Sequence, residues 1–165
     1  MNKKTKDFFL GTLPKYIFGI AIPLTVGALS ALLTKDGMAL YTDLAQPPLA
    51  PPAIVFPIVW SILYLLMGIS STTVFIKREF DVENAEQGLK FYLISLILNF
   101  IWSPVFFIRE SFLLALVILG ILTFTVIRTV CYYLKVSRLS AYLQIPYAVW
   151  CVYAAYLNFA VFILN

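Results

Sequence analysis

The sequence predicts an all-α integral membrane protein, a single domain over residues 1–165 built as a bundle of five transmembrane helices. Three observations carry this. Only 12% of the residues are charged, about half the ~25% of an average soluble domain and too few to cover the surface of a globule this size. The mean hydropathy is +0.93. The uncharged residues also fall in five blocks, each near the ~20 residues that a helix needs to cross a bilayer.

The blocks run from Tyr16 to Thr34, Leu44 to Ile76, Phe91 to Ile108, Ser111 to Leu134 and Leu139 to Asn165. The fourth is broken only by Arg128, and the first third of the second is a Pro-rich loop. These blocks predict helices at 14–34, 53–76, 90–108, 112–134 and 140–164. The first block holds Pro23 and lacks a small-x-small exit, so it is expected to remain a span and not to be cleaved as a signal peptide. The polar stretch from Lys77 to Lys90, KREFDVENAEQGLK, is expected to be a solvated connection.

Basic residues set the orientation. Lys3, Lys4, Lys6, Lys15, Lys77, Arg78, Lys90, Lys135 and Arg138 fall on one side of the predicted membrane, and Lys35 and Arg109 on the other. Arg128 lies toward the richer side and can snorkel there. The expected placement is the plasma membrane, with the N-terminus cytoplasmic and the C-terminus outside. The net charge of +4 therefore serves topology, and no nucleic-acid partner is expected, because the basic residues are scattered over separate loops.

The spans exclude several kinds of chemistry. There is no His, which removes the commonest metal ligand and the side chain that titrates near neutral pH. All eight acidic residues lie in tails and loops, whereas proton-coupled transporters place carboxylates or His within the membrane. Paired-carboxylate hydrolysis is disfavoured for the same reason. Two Cys build no disulfide framework; Cys131 and Cys151 sit in apolar stretches and are expected to be buried thiols.

Within the spans, rings alternate with a few amides and hydroxyls, and a step of 100° per residue groups them. Ala53, Phe56, Trp60, Tyr64, Met67 and Ser71 share one face of the second helix. Tyr92, Ser95, Asn99, Trp102, Ser103 and Phe106 share one face of the third, and Tyr147, Trp150, Ala154, Leu157 and Asn158 one face of the fifth. Ile145, Val149, Val152 and Ile163 lie opposite, where they suit lipid. Asn99 and Asn158 are expected to point inward, since an unpartnered amide in hydrocarbon is costly. Two readings share these stripes: ordinary packing with Ser and Asn as interhelical glue, and a flat, ring-lined cavity with polar handles for a planar ligand. Pro47, Pro48, Pro51 and Pro52 stiffen the loop before the second helix, as either a lid or a plain connector.

The loop and second helix, YTDLAQPPLAPPAIVFPIVWSILYLLMG, resemble the translocator protein / tryptophan-rich sensory protein family (TspO/MBR). That family's pattern there is roughly WY..L..P...PP..VF...W..LY..MG. Tyr41, Leu44, Pro47, Pro51, Pro52, Val55, Phe56, Trp60, Leu63, Tyr64, Met67 and Gly68 match it in register. LNFIWSPVFF, from Leu98 to Phe107, is similar to the third-helix motif, and AYLQIPYAVWCVYAAYLN, from Ala141 to Asn158, to the fifth. The chain departs from the pattern at Leu40, where the family has a loop Trp, and at Ile118, where an acidic residue is often found.

The resemblance implies a five-helix bundle, commonly a homodimer, with a pocket beneath the first loop. It implies binding of tetrapyrroles such as protoporphyrin IX and haem, as ligands and not as required cofactors, and of cholesterol-like molecules in animal relatives. Porphyrin handling, stress sensing, facilitated transport and light- and oxygen-dependent porphyrin breakdown all follow as expectations. Carried over by position, the pocket uses Tyr41 and Pro51 from the loop, Trp60 and Tyr64, then Asn99, Ser103 and Phe106, with Leu119 from the fourth helix and Ala154 from the fifth. Tyr147 and Trp150 join from the same face as Ala154. Trp60 and Trp150 match tryptophans implicated in porphyrin photochemistry and are the expected catalytic pair if the protein is an enzyme. No metal ligand set is implied.

Overall fold

The computed structural model describes residues 11–165. Lys3, Lys4, Lys6 and Asp7 lie outside the described residues. Five long helices make up the structure: α1 (Leu13–Leu33), α3 (Val55–Lys77), α4 (Val82–Phe107), α5 (Phe112–Val136) and α6 (Arg138–Leu164). A short helix, α2 (Gly37–Asp43), sits in the first loop. Each long helix is long and apolar enough to cross a membrane, and the chain is an integral membrane protein.

The helices close a ring in the order α1, α3, α6, α5, α4 and back to α1. The predicted stripes face its interior. Met67, Ser71, Tyr92, Ser95, Tyr147 and Asn158 are all buried. Ile145, Val149, Val152 and Ile163 are exposed, like most of the Leu and Ile on the outer surface. That surface is apolar because lipid covers it. Where helices cross closely, small residues allow it: a Cβ at Gly68 of α3 would lie 2.6 Å from the Ile20 Cα of α1. Pro23, Pro104 and Pro146 lie inside helices, as transmembrane helices tolerate.

Three expectations are corrected. First, α4 begins at Val82 and not near residue 90, and Arg78–Phe80 forms a 3₁₀ turn, so most of the expected solvated connection is helical. Asp81 caps α4 by accepting from the Asn84 amide at 3.2 Å. Ala85 and Gly88 then bury against the bundle, and a Cβ at Gly88 would meet the Tyr133 ring at 2.7 Å. Charge hid this helix because its polar residues lie on the outer side of an extended first turn. Second, a short helix not among the five expected, α2, precedes the Pro-rich loop. Third, Cys151 is buried but Cys131 is exposed; the latter faces outward from α5 among lipid-facing side chains, where a thiol is equally free of polar cost.

Candidate ligand-binding site

The site lies at the end of the bundle that carries α2 and the Pro-rich loop. A cavity of about 300 Å³ opens there between α1, α3 and α4, at the lower edge of the ~300–1,000 Å³ of small-molecule sites. Its walls are built by helical spacing. Phe56, Trp60 and Tyr64 descend α3 at intervals of four residues, so they stack along one face. The Trp60 and Tyr64 rings lie 5.3 Å apart at 27° between their planes. Asn99, Trp102 and Ser103 supply the facing wall from α4.

α1 closes the third side with Gly27, Ser30, Ala31 and Thr34. These small residues recur every three or four positions, which leaves room for the rings opposite. Gly27 is seated against the Tyr64 ring, and any Cβ there would collide with it. Lys35 stands at the mouth beside Gly37. The floor is polar: the Asn99 side-chain amide donates to the Tyr64 hydroxyl at 2.8 Å, and both side chains are buried.

A lid covers the cavity. Tyr41 of α2 is buried over the opening, and its hydroxyl donates to the Pro51 carbonyl at 2.9 Å. Burial, and then the nearby Tyr153, push the Tyr41 phenol above its ordinary pKa, which keeps this donor protonated. The Gln46 amide donates to the Tyr41 carbonyl. On the far side, the hydroxyls of Tyr153 and Tyr156 donate to the carbonyls of Leu49 and Pro48, each at 2.7 Å. Asn165 pairs with Ala45 at 2.9 and 3.3 Å. Leu49 itself sits at φ 67°, a strained conformation for a branched side chain. The loop is thus latched along the end of α6.

Behind the lid is a second space of about 30 Å³, lined by Phe106, Ala154 and Leu157 among others. Tyr41, Phe56, Trp102 and Phe107 line both spaces, so these four rings form the partition between them.

The structure brings five of the sequence-derived site residues to the main cavity: Tyr41, Trp60, Tyr64, Asn99 and Ser103. Phe106 and Ala154 line the small space instead. Pro51 enters through its hydrogen bond to Tyr41. Leu119 and Tyr147 are buried in the central core, Tyr147 edge-on to Trp60 at 6.0 Å. Trp150 stands one ring behind the wall, 6.1 Å from Phe56. Asn158 is occupied structurally: it accepts from the Trp102 indole at 3.1 Å and donates to the Phe112 carbonyl at 2.9 Å.

Sequence reasoning missed the wall from α1, together with Phe107 and Lys35, and it placed Phe56 and Trp102 on the inward stripes without carrying them into the pocket. The signal for the α1 wall was present in the spacing of Gly27, Ser30, Ala31 and Thr34. It went unused because the rest of α1 is apolar all round and gives no stripe.

Comparison with known proteins agrees with this architecture. Residues 19–164 match the TspO/MBR family. The chain is 34% identical over 139 residues to protein CrtK of Rhodobacter capsulatus, covering 84% of this chain and 85% of the relative. It is 34% identical to the tryptophan-rich protein TspO of Chlorobaculum tepidum, covering 88% of this chain and 92% of the relative. It is 33% identical to the human translocator protein, covering 80% and 78%.

Proposed function

We propose that this chain, which belongs to the TspO/MBR family, is a membrane-embedded binding protein for flat hydrophobic ligands of the tetrapyrrole class, protoporphyrin IX and haem among them. The observation that carries the reading is the cavity under the lid. Stacked rings form one wall, small residues the other, and the Asn99–Tyr64 pair lies at the floor. A planar macrocycle fits between a ring wall and a small-residue wall, and aromatic contacts of this kind contribute about 0.5–1.5 kcal/mol each beyond area burial. Lys35 at the mouth supplies a cation for the acidic edge of such a ligand.

The cavity is at the small end of the range for ligand sites, so a tetrapyrrole enters with the lid displaced and the partition rings turned aside. That would join the small space to the main one. The role that follows is porphyrin handling or stress sensing in the membrane, in a protein that is expected to pair as a homodimer. Among the described residues, the acidic side chains of the spans lie only at their exposed ends, at Glu79, Glu83 and Glu86, which favours passive binding or facilitated movement over ion-coupled transport.

The test is a dark titration of detergent-solubilised protein with protoporphyrin IX and with its dimethyl ester, read by tryptophan quenching. Saturable binding of the free acid, weaker for the ester and equalised by Lys35→Gln, is expected. Unsaturable partitioning of both compounds would overturn the reading. Illumination with and without oxygen then separates binding from breakdown: a bound porphyrin that stays stable in light and oxygen marks a carrier or sensor.

A further inference from the structure

Arg128 lies within a membrane span, seven residues before Lys135 and eight before the end of α5 at Val136. At 1.5 Å per residue that places its Cα about 10 Å below Lys135. Its side chain runs back toward the basic end: one guanidinium nitrogen donates to the Tyr132 hydroxyl at 2.8 Å. The guanidinium carbon lies 4.9 Å from the Tyr132 ring centre and 5.6 Å from that of Phe91 on α4. Those two rings stack on each other at 5.6 Å with 16° between their planes. The Lys135 ammonium is also drawn to Tyr132, 5.7 Å from its centre.

Two cations thus sit on one ring, on a shelf built between α4 and α5. Among the described residues, neither is within salt-bridge distance of a carboxylate. The shelf fixes Arg128 in place while using a single one of its five N–H donors. Ionisable residues inside spans ordinarily face a partner, and among the described residues Arg128 has the Tyr132 hydroxyl and two rings but no anion. Basic pockets between helices at a membrane surface are suited to anionic headgroups, and guanidinium matches a phosphate with paired hydrogen bonds.

We propose that the Arg128–Tyr132–Lys135 shelf, with Phe91 beneath it, is a binding site for the phosphate of an anionic phospholipid in the leaflet at the basic end of the bundle. The site is at the opposite end from the lidded cavity and does not depend on what that cavity holds. The phosphate lies between the two cations and offsets their mutual repulsion, while the acyl chains lie along the apolar outer surface of α4 and α5, where Leu93, Ile97, Phe124 and Ile127 are exposed. Arg128 binds by its fork and Lys135 by its charge.

The experiment is native mass spectrometry of the full chain in mixed micelles of phosphatidylglycerol and phosphatidylcholine. Selective retention of one phosphatidylglycerol is expected, unaffected by excess inorganic phosphate. Arg128→Gln lowers that retention about fivefold, the scale set by one basic side chain at an anionic surface. Arg128→Lys falls between, and Arg109→Gln at the other end leaves retention unchanged. Should Arg128→Gln fail to fold, Lys135→Gln decides in its place. Equal retention of both lipids, or retention indifferent to Arg128 and Lys135, overturns the proposal. So does displacement by inorganic phosphate alone, which would make the shelf a bare anion site, or a change in oligomer mass with lipid retention unaltered, which would make it a contact between copies.

Discussion

The Asn99 amide of α4 and the Tyr64 hydroxyl of α3 meet at 2.8 Å at the bottom of the lidded cavity, joining the two walls that would hold a ligand. Each residue satisfies the other in a region where water is scarce. The pair therefore does two things at once: it holds α3 against α4, and it offers a polar edge to whatever enters. Asn99→Leu removes the donor and leaves the Tyr64 hydroxyl without its partner. Interhelical hydrogen bonds in membranes contribute about 0.6 kcal/mol on average and up to ~1.7, so a modest loss of thermal stability is expected with a larger loss of porphyrin affinity. Thermal unfolding and dark titration on the same sample check both. Asn99→Leu that lowers stability but binds as the parent does would make the pair purely structural.

The lid is held to α6 by two tyrosine hydroxyls, on Leu49 and Pro48. Tyr153→Phe with Tyr156→Phe keeps both rings and deletes both donors. Ligand association and dissociation are expected to accelerate together, each several-fold, with the dissociation constant little changed. Stopped-flow quenching reads this directly. Rates equal to the parent's would show that the loop is not a barrier to entry.

Trp60 and Trp102 are in the cavity wall, whereas Trp150 stands behind Phe56. Bound porphyrin is expected to quench Trp60 and Trp102 more than Trp150, so Trp60→Phe reduces the quenching amplitude more than Trp150→Phe does. If light and oxygen consume the bound ligand, the same order is expected for the bleaching rates. Faster protection by Trp150→Phe would place the ligand deeper, against α6.

No His occurs in the chain, and among the described residues the cavity lining contains no Cys or Met. Both lining phenols are engaged, Tyr41 with the Pro51 carbonyl and Tyr64 with Asn99. Iron therefore gains little here, and haem is expected to bind no more tightly than metal-free protoporphyrin IX. Parallel dark titrations compare them, and a haem spectrum of strong two-nitrogen axial ligation would contradict the expectation.

Much of this arrangement was legible in the sequence. Uncharged runs placed five spans because a bilayer demands continuous apolar length, and ring-and-amide stripes at helical spacing placed Trp60, Tyr64, Asn99 and Ser103 inward. Three things were not legible. The start of α4 was masked by charge, since Glu83, Glu86, Gln87 and Lys90 look like a loop until Ala85 and Gly88 are seen to bury. The α1 wall carries no ring or amide, only the small residues Gly27, Ser30, Ala31 and Thr34. Trp150 shares the face of Ala154, but the position of Phe56 on a neighbouring helix screens it from the cavity, and spacing along one helix cannot reveal that.

The missed start of α4 gives its own prediction. Asp81 caps the helix at Asn84, and Asp81→Ala is expected to cost about 0.5–2 kcal/mol without altering porphyrin affinity, because the cap and the cavity lie at opposite ends of the bundle. Thermal unfolding beside titration separates the two effects.

The most direct measurement fills the cavity from its featureless side. Protoporphyrin IX binding is measured in the dark, in nanodiscs, for the parent, for Ala31→Phe on the α1 wall and for Val149→Phe on the lipid face of α6. Saturable one-to-one binding that falls at least about tenfold with Ala31→Phe, the loss of roughly 1.4 kcal/mol, and is unchanged by Val149→Phe is the predicted result. Equal affinity in all three proteins would contradict the account and return the ring stripes to plain helix packing.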